Sequence, residues 1–111
     1  MAAIGEFEVL ILMAVLRLED GAYAPAIRAE IGRRTGRAVS RGAVYITLDR
    51  LECKGLLASA LADSADEGGR RRRYYRVPPK GVRAVKRTLA ALEQMRDGLE
   101  PVLGKAWRSN V

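Results

Sequence analysis

Histidine is absent from this 111-residue chain. That removes the commonest general base and the commonest metal ligand. One cysteine, Cys53, leaves nothing for an internal disulfide or a cysteine-rich zinc site, and it suits a reducing cytoplasm. No nucleophile–base pair and no metal-ligand cluster can be assembled from the motifs, so neither an enzyme, a cofactor nor a metal is expected. Cys53 itself reads as an inert helical thiol, with redox sensing as the rarer alternative.

Long apolar runs are missing too. The longest, Val9 to Leu16, has eight residues, where a bilayer helix needs about 20. Glu6 and Glu8 stand where a signal peptide needs positive charge, and Arg17 and Glu19 follow the run. The expectation is an unprocessed, cytoplasmic protein with no membrane partner. Acidic residues are also short: 13 Asp+Glu against 20 Lys+Arg give a net charge of +7 and a pI near 10.2. Such a surplus favours a polyanionic partner, and DNA, RNA and anionic lipid all qualify.

What is present begins with 49% apolar residues, enough for one domain around one core. A first helix is predicted from about Glu6 to Leu18, with Phe7, Leu10, Ala14 and Leu18 on one face and apolar residues over most of the rest. A helix apolar nearly all round must be buried nearly all round. In so small a domain one of its faces can meet a second subunit, and Leu12, Val15 and Leu16 are the candidates. A second helix is predicted from about Tyr23 to Arg34, with Pro25 in its first turn and Gly36 as its stop. Arg37-Ala38-Val39 is an extended link, or a minimal strand.

The third helix carries the most information. Ser40 is a strong N-cap. Val44, Leu48, Leu51 and Gly55 share one face, opposite Gly42, Ile46, Asp49 and Cys53, with Tyr45 and Arg50 at the borders. Arg41 sits in the first turn, where a cation is disfavoured unless a phosphate neutralises it. Helix N-termini bind phosphate, and Gly42 leaves the backbone bare for a close approach. Tyr45 reads equally as a half-buried packing residue or as a hydroxyl that reaches a phosphate. Ile46 has two readings, contact with a thymine methyl or packing under the next element. Asp49 is expected to pair with an arginine.

A hairpin follows. Leu56 to Leu61 is the first strand, and the second is Tyr74-Tyr75-Arg76-Val77, reached through Gly68-Gly69 and Arg70, Arg71, Arg72 and Arg73. A hairpin with a cationic tip after a short capped helix is what a winged helix-turn-helix presents to DNA. The plainer reading is a solvated charged loop. Strand alternation sends Arg72, Tyr74 and Arg76 to one face and Arg73, Tyr75 and Val77 to the other. The acidic loop Asp63 to Glu67 is placed to fold back on the arginines.

Pro78-Pro79 ends the strand. A last helix then carries Val82, Val85, Leu89, Leu92, Leu99 and Leu103 at alternating three- and four-residue steps, with Arg96 at the missing slot. This is coiled-coil-like spacing, so a partner helix is expected, with Val85, Leu89, Leu92 and Leu99 at a homodimer interface. Gly98 and Pro101 should bend it near its end. Trp107 reads as a cover for the dimer seam or as tail.

The order of these segments resembles the PadR family of bacterial transcriptional regulators. The resemblance rests on Gly42-Ala43-Val44-Tyr45 running to Leu51-Glu52-Cys53-Lys54-Gly55-Leu56, then Gly69 to Tyr75, and a proline–glycine-led helix at Pro79-Lys80-Gly81. It covers about Gly5 to Leu103. It implies a mainly α fold with a small β-hairpin: a winged helix-turn-helix over residues 1–78 and a dimerisation helix and tail over 79–111. It further implies a homodimer that binds an inverted-repeat operator in double-stranded DNA, usually as a repressor. Ser40, Gly42 and Tyr45 match the family's helix-start and tyrosine positions, and Gly69, Arg70, Arg71, Arg72, Arg73 and Tyr74 match its wing. Arg41 stands where many members have proline, so its contact rests on the residues alone, as does that of Arg50. The C-terminal region is short, and nothing in it singles out a small-molecule effector. The competing function is a winged-helix module for RNA or protein without operator specificity.

Overall fold

The computed structural model describes residues 4–63 and 71–109, the last five for their backbone alone. Helix α1, Glu6–Leu18, opens at Gly5, whose N–H donates to Glu8 Oε1 at 2.9 Å. Its length is as expected, but its deep face is not. Val9, Ile11, Leu12, Ala14 and Val15 are buried, while Phe7, Leu10 and Leu18 are only half-buried. The reason is position, because α1 touches the second, third and fourth helices and the hairpin. A single 3-10 turn, Glu19–Gly21, leads to α2, Ala24–Thr35. Gly36 ends α2 in the left-handed region at φ 71°, where a Cβ would strain the backbone. No strand forms between α2 and α3, so Arg37-Ala38-Val39 is an irregular link.

Helix α3, Arg41–Cys53, is capped by Ser40, whose Oγ accepts from the Ala43 N–H at 3.1 Å. Its inner face of Val44, Leu48 and Leu51 joins Ile11, Leu12 and Ile27 in the core. Burial of each such side chain is worth about 1.5–3 kcal/mol. Gly55, at φ 75°, closes the helix. Its N–H bonds to the Glu52 carbonyl, and the Leu56 N–H reaches back to Leu51. That closure drives Leu56 and Leu57 into the core, so strand β1 is Ala58–Asp63 and starts later than its apolar run implies. Strand β2, Arg71–Arg76, pairs with it antiparallel, from Ala58 opposite Arg76 to Asp63 opposite Arg71.

Helix α4, Pro79–Arg96, enters the core only at its start, through Gly81, Ala84 and Val85. A Cβ on Gly81 would lie 2.2 Å from the Leu56 carbonyl oxygen, so only glycine fits there. The last helix is interrupted at Gly98, where a bend was expected, and again at Gly104, φ 69°. The chain breaks after Arg96 at Gly98, φ 86°, and resumes as α5, Glu100–Ser109, with Pro101 in its first turn. Arg96 straps the break, donating to Glu93 Oε1 from Nε at 2.9 Å and to Glu100 Oε2 from Nη1 at 2.7 Å. Among the described residues no helix is long and apolar enough to cross a membrane.

Candidate nucleic-acid interface

The 3.6-residue period of α3 separates its two faces cleanly. Val44, Thr47, Leu48 and Leu51 are buried, while Arg41, Gly42, Tyr45, Ile46, Asp49, Arg50 and Cys53 are exposed. Tyr45 is 46% and Ile46 60% exposed. Ile46 is thus too open for packing under the wing, whereas Tyr45 is about half covered and still presents its other half outward. Nothing stands within 4 Å of where a Gly42 Cβ would be, so the backbone there is open to a ligand. The Arg41 guanidinium lies 6.0 Å from the centre of the Tyr45 ring, which turns cation and phenol toward the same outer surface. Asp49 has no ion pair among the described residues, against the expectation.

Beside this face an open groove of roughly 850 Å³ runs between the start of α2 and the start of α3. Its floor includes Ala29, Gly32 and Val44, and Arg28, Arg37 and Arg41 rim it. Arg28 Nε donates to the Val39 carbonyl at 2.6 Å, which fixes the link between the two helices. Arg37 pairs with Glu6 at 3.0 Å and lies 5.6 Å from the Phe7 ring centre. Arg28, on the solvent face of α2, and Arg37, in the link after it, are cationic rim residues that the motif reading did not single out.

Arg50 lies on the side of α3 nearer α1, where its charge acts on Glu8. Burial pushes the Glu8 carboxyl up, but the Gly5 N–H, the Lys54 ion pair at 2.9 Å and Arg50 outweigh it and hold the carboxyl below its ordinary value.

The wing arginines divide. Arg71 and Arg73 are exposed, and Arg71 reaches Asp63 at 3.6 Å, the one part of the acidic-loop expectation on described residues. Arg72 is half-buried, its guanidinium 4.4 Å from the Tyr23 ring centre. Tyr74 is half-buried against that same ring, with centroids 5.9 Å apart. Tyr23 was not marked by any motif. It sits in the α1–α2 link, bridges to Tyr74 as an isolated strand pair, and follows Ala22, whose carbonyl accepts from the Tyr75 N–H at 2.8 Å. Gly69, Arg70 and the loop from Ser64 to Glu67 lie outside the described residues, as does the side chain of Trp107.

The dimer candidates divide as well. Leu12, Val15 and Val85 are buried in this chain's own core and have no surface left for a partner, which corrects their assignment to an interface. Leu16, Leu89, Leu92 and Leu99 are exposed, together with Met95, Val102 and Leu103. Among the described residues no group of metal-ligating side chains comes together.

The sequence profile of the Transcriptional regulator PadR-like family matches residues 12–87. The chain belongs to this family. The match takes in the helix-turn-helix, the hairpin and the core-facing start of α4. The Transcriptional regulator Rv3488 of Mycobacterium tuberculosis is 44% identical over 62 residues, covering 56% of this chain and 55% of that protein. That match thus spans about half the length of the relative. A PadR family transcription regulator from Clostridium difficile R20291 superposes with a TM-score of 0.69 at 26% identity, over 90% of this chain and all of that one. A PadR-like transcriptional regulator from Bacillus cereus gives a TM-score of 0.73 over 87% of this chain and 90% of its own; at 22% identity it speaks to the fold alone.

Proposed function

We propose that this PadR-like protein is a sequence-specific regulator that binds double-stranded DNA as a homodimer in the cytoplasm and represses transcription from an inverted-repeat operator. One observation carries the reading. The outer face of α3 begins at a capped N-terminus with Arg41, Gly42, Tyr45 and Ile46 all open, beside a wing edged by arginines. Free N–H groups and Arg41 suit phosphate, while the exposed Tyr45 and Ile46 suit contact with base edges. Ser40 acts by capping. Gly42 allows the close approach. Arg50 contributes charge from the side of the helix, and Gly69, Arg70 and Arg71 are assigned to contact with backbone or minor groove.

The homodimer follows from the arm. Leu89, Leu92 and Met95 on α4 and Leu99, Val102 and Leu103 after the break are all exposed, and a monomer would leave that apolar surface in water. Leu16 of α1 supports the same interface. Residues 1–78 then form the reading head and 79–111 the dimerisation arm, although the first turns of α4 also complete the head's core.

The test is selection of duplexes from a random pool, followed by a reporter driven by the selected site. An inverted repeat that silences the reporter in the presence of the protein supports the reading. Selection of single-stranded RNA instead, or of no sequence at all, contradicts it.

A further inference from the structure

A two-stranded hairpin is marginal by itself in water, so its angle must be set by what grips it. Here it is gripped on both faces near its base. On one face the Ser59 hydroxyl donates to Glu52 Oε2 of α3 at 2.6 Å and accepts from Arg73 Nη1 of β2 at 3.0 Å. A single hydroxyl thus has its acceptor on the reading helix and its donor on the second wing strand. On the other face Tyr74 and Arg72 pack on Tyr23. Arg73 has its positive charge answered, through Ser59, by the carboxylate of Glu52. A cation so partnered adds little net attraction for a phosphate, because the neighbouring negative charge offsets its field.

We propose that Ser59 and Arg73 are positioning residues, which with Glu52 lock the wing at one angle to α3 and so set sequence selectivity, rather than cationic contacts to DNA. The inference rests on the DNA-binding reading above. It separates the arginine run into two jobs: Arg71, whose Asp63 partner lies as open to solvent as itself, stays available to the polyanion, and Arg73, tied to the half-buried Ser59 and Glu52, serves the frame.

The experiment uses the full chain and a duplex that the wild type itself selects from a random pool. Ser59→Ala removes no charge, and Arg73→Gln removes one. Each should lower the ratio of selected-duplex to random-duplex affinity by a similar factor, about tenfold for loss of a charge-assisted bond. The double variant should be no worse than either single one, since both break the same link. Ser59→Thr, which keeps the hydroxyl, should restore the ratio. The log–log salt slope on random DNA should stay at the wild-type value in Ser59→Ala and change by less than about one in Arg73→Gln.

Three results would overturn the proposal. The first is an Arg73→Gln protein whose slope is flatter by about two, one phosphate per subunit, with Ser59→Ala behaving as wild type. The second is multiplication of the two losses in the double variant. The third is a lower melting temperature in both variants with the affinity ratio untouched. A wild type that selects no duplex refutes the DNA-binding reading itself. That result is obtained before any variant is made, so the two failures are distinct.

Discussion

Helix α1 and the α4–α5 arm are both striped with leucine and valine, yet their apolar surface ends in different places. Helix α1 lies at the centre of the head and buries Val9, Ile11, Leu12, Ala14 and Val15 against elements of its own chain. Among its described residues the arm buries Gly81, Ala84 and Val85, and further along it Leu92 is 61%, Met95 77% and Val102 81% exposed. Apolar content alone does not say which helix seeks a partner. What decides it is how many neighbours the chain can wrap around each one. The head closes on itself, whereas the described residues of the arm beyond Val85 leave their large apolar side chains open.

That contrast predicts effects of different size and kind. The largest belongs to the head. Leu48→Ala should cost about 2–5 kcal/mol, because the cavity cannot collapse between packed helices. Urea unfolding would show it as a lower midpoint with an unchanged slope, and a loss below 1 kcal/mol would mean the head is far looser than described. In the arm, Leu92→Asp should leave the head folded and give monomers by sedimentation at micromolar concentration. If the wild type is itself monomeric there, the contrast between the two regions fails.

Within the head, Arg71→Ala combined with Arg70→Ala should weaken binding to selected and random DNA alike and reduce the salt slope. Survival of random-DNA binding with loss of operator binding would mean that the wing reads bases. Ser40→Ala should cost about 1 kcal/mol of stability by loosening the first turn of α3. The smallest effect is one of pH. Glu8 is held below its ordinary carboxyl value, so the stability it adds is complete above about pH 4.5 and is lost as pH falls through the lowered folded value. Glu8→Gln should flatten the stability profile in that acid range. An unchanged profile would show that the Lys54 pair contributes nothing.

Local chemistry was readable wherever a residue acts through its own neighbours. The Ser40 cap, the Gly36 stop, the open Gly42 and the two faces of α3 all follow from periodicity and capping, and the structure has them. The deep face of α1 was not readable, because a helix apolar on all sides carries no mark of which side turns inward. The same ambiguity misplaced Leu12 and Val15. Gly81 gave no warning of its contact with the Leu56 carbonyl, since that contact exists only after α4 crosses the end of α3. Strand alternation separated Arg72 and Tyr74 from Arg73, but the partners of each face, Tyr23 on one and Ser59 on the other, come together only on folding.

The central claim is that two copies of α3 are held by the arm so that their open faces enter successive major grooves. A footprint on the selected duplex tests it most directly. The account predicts two protected half-sites in inverted orientation, with centres about 10–10.5 base pairs apart on one face of the helix. It also predicts that both disappear together in Gly42→Glu, which places bulk and negative charge where the backbone must be approached. A single asymmetric half-site, or a Gly42→Glu protein that still protects the duplex, would contradict it.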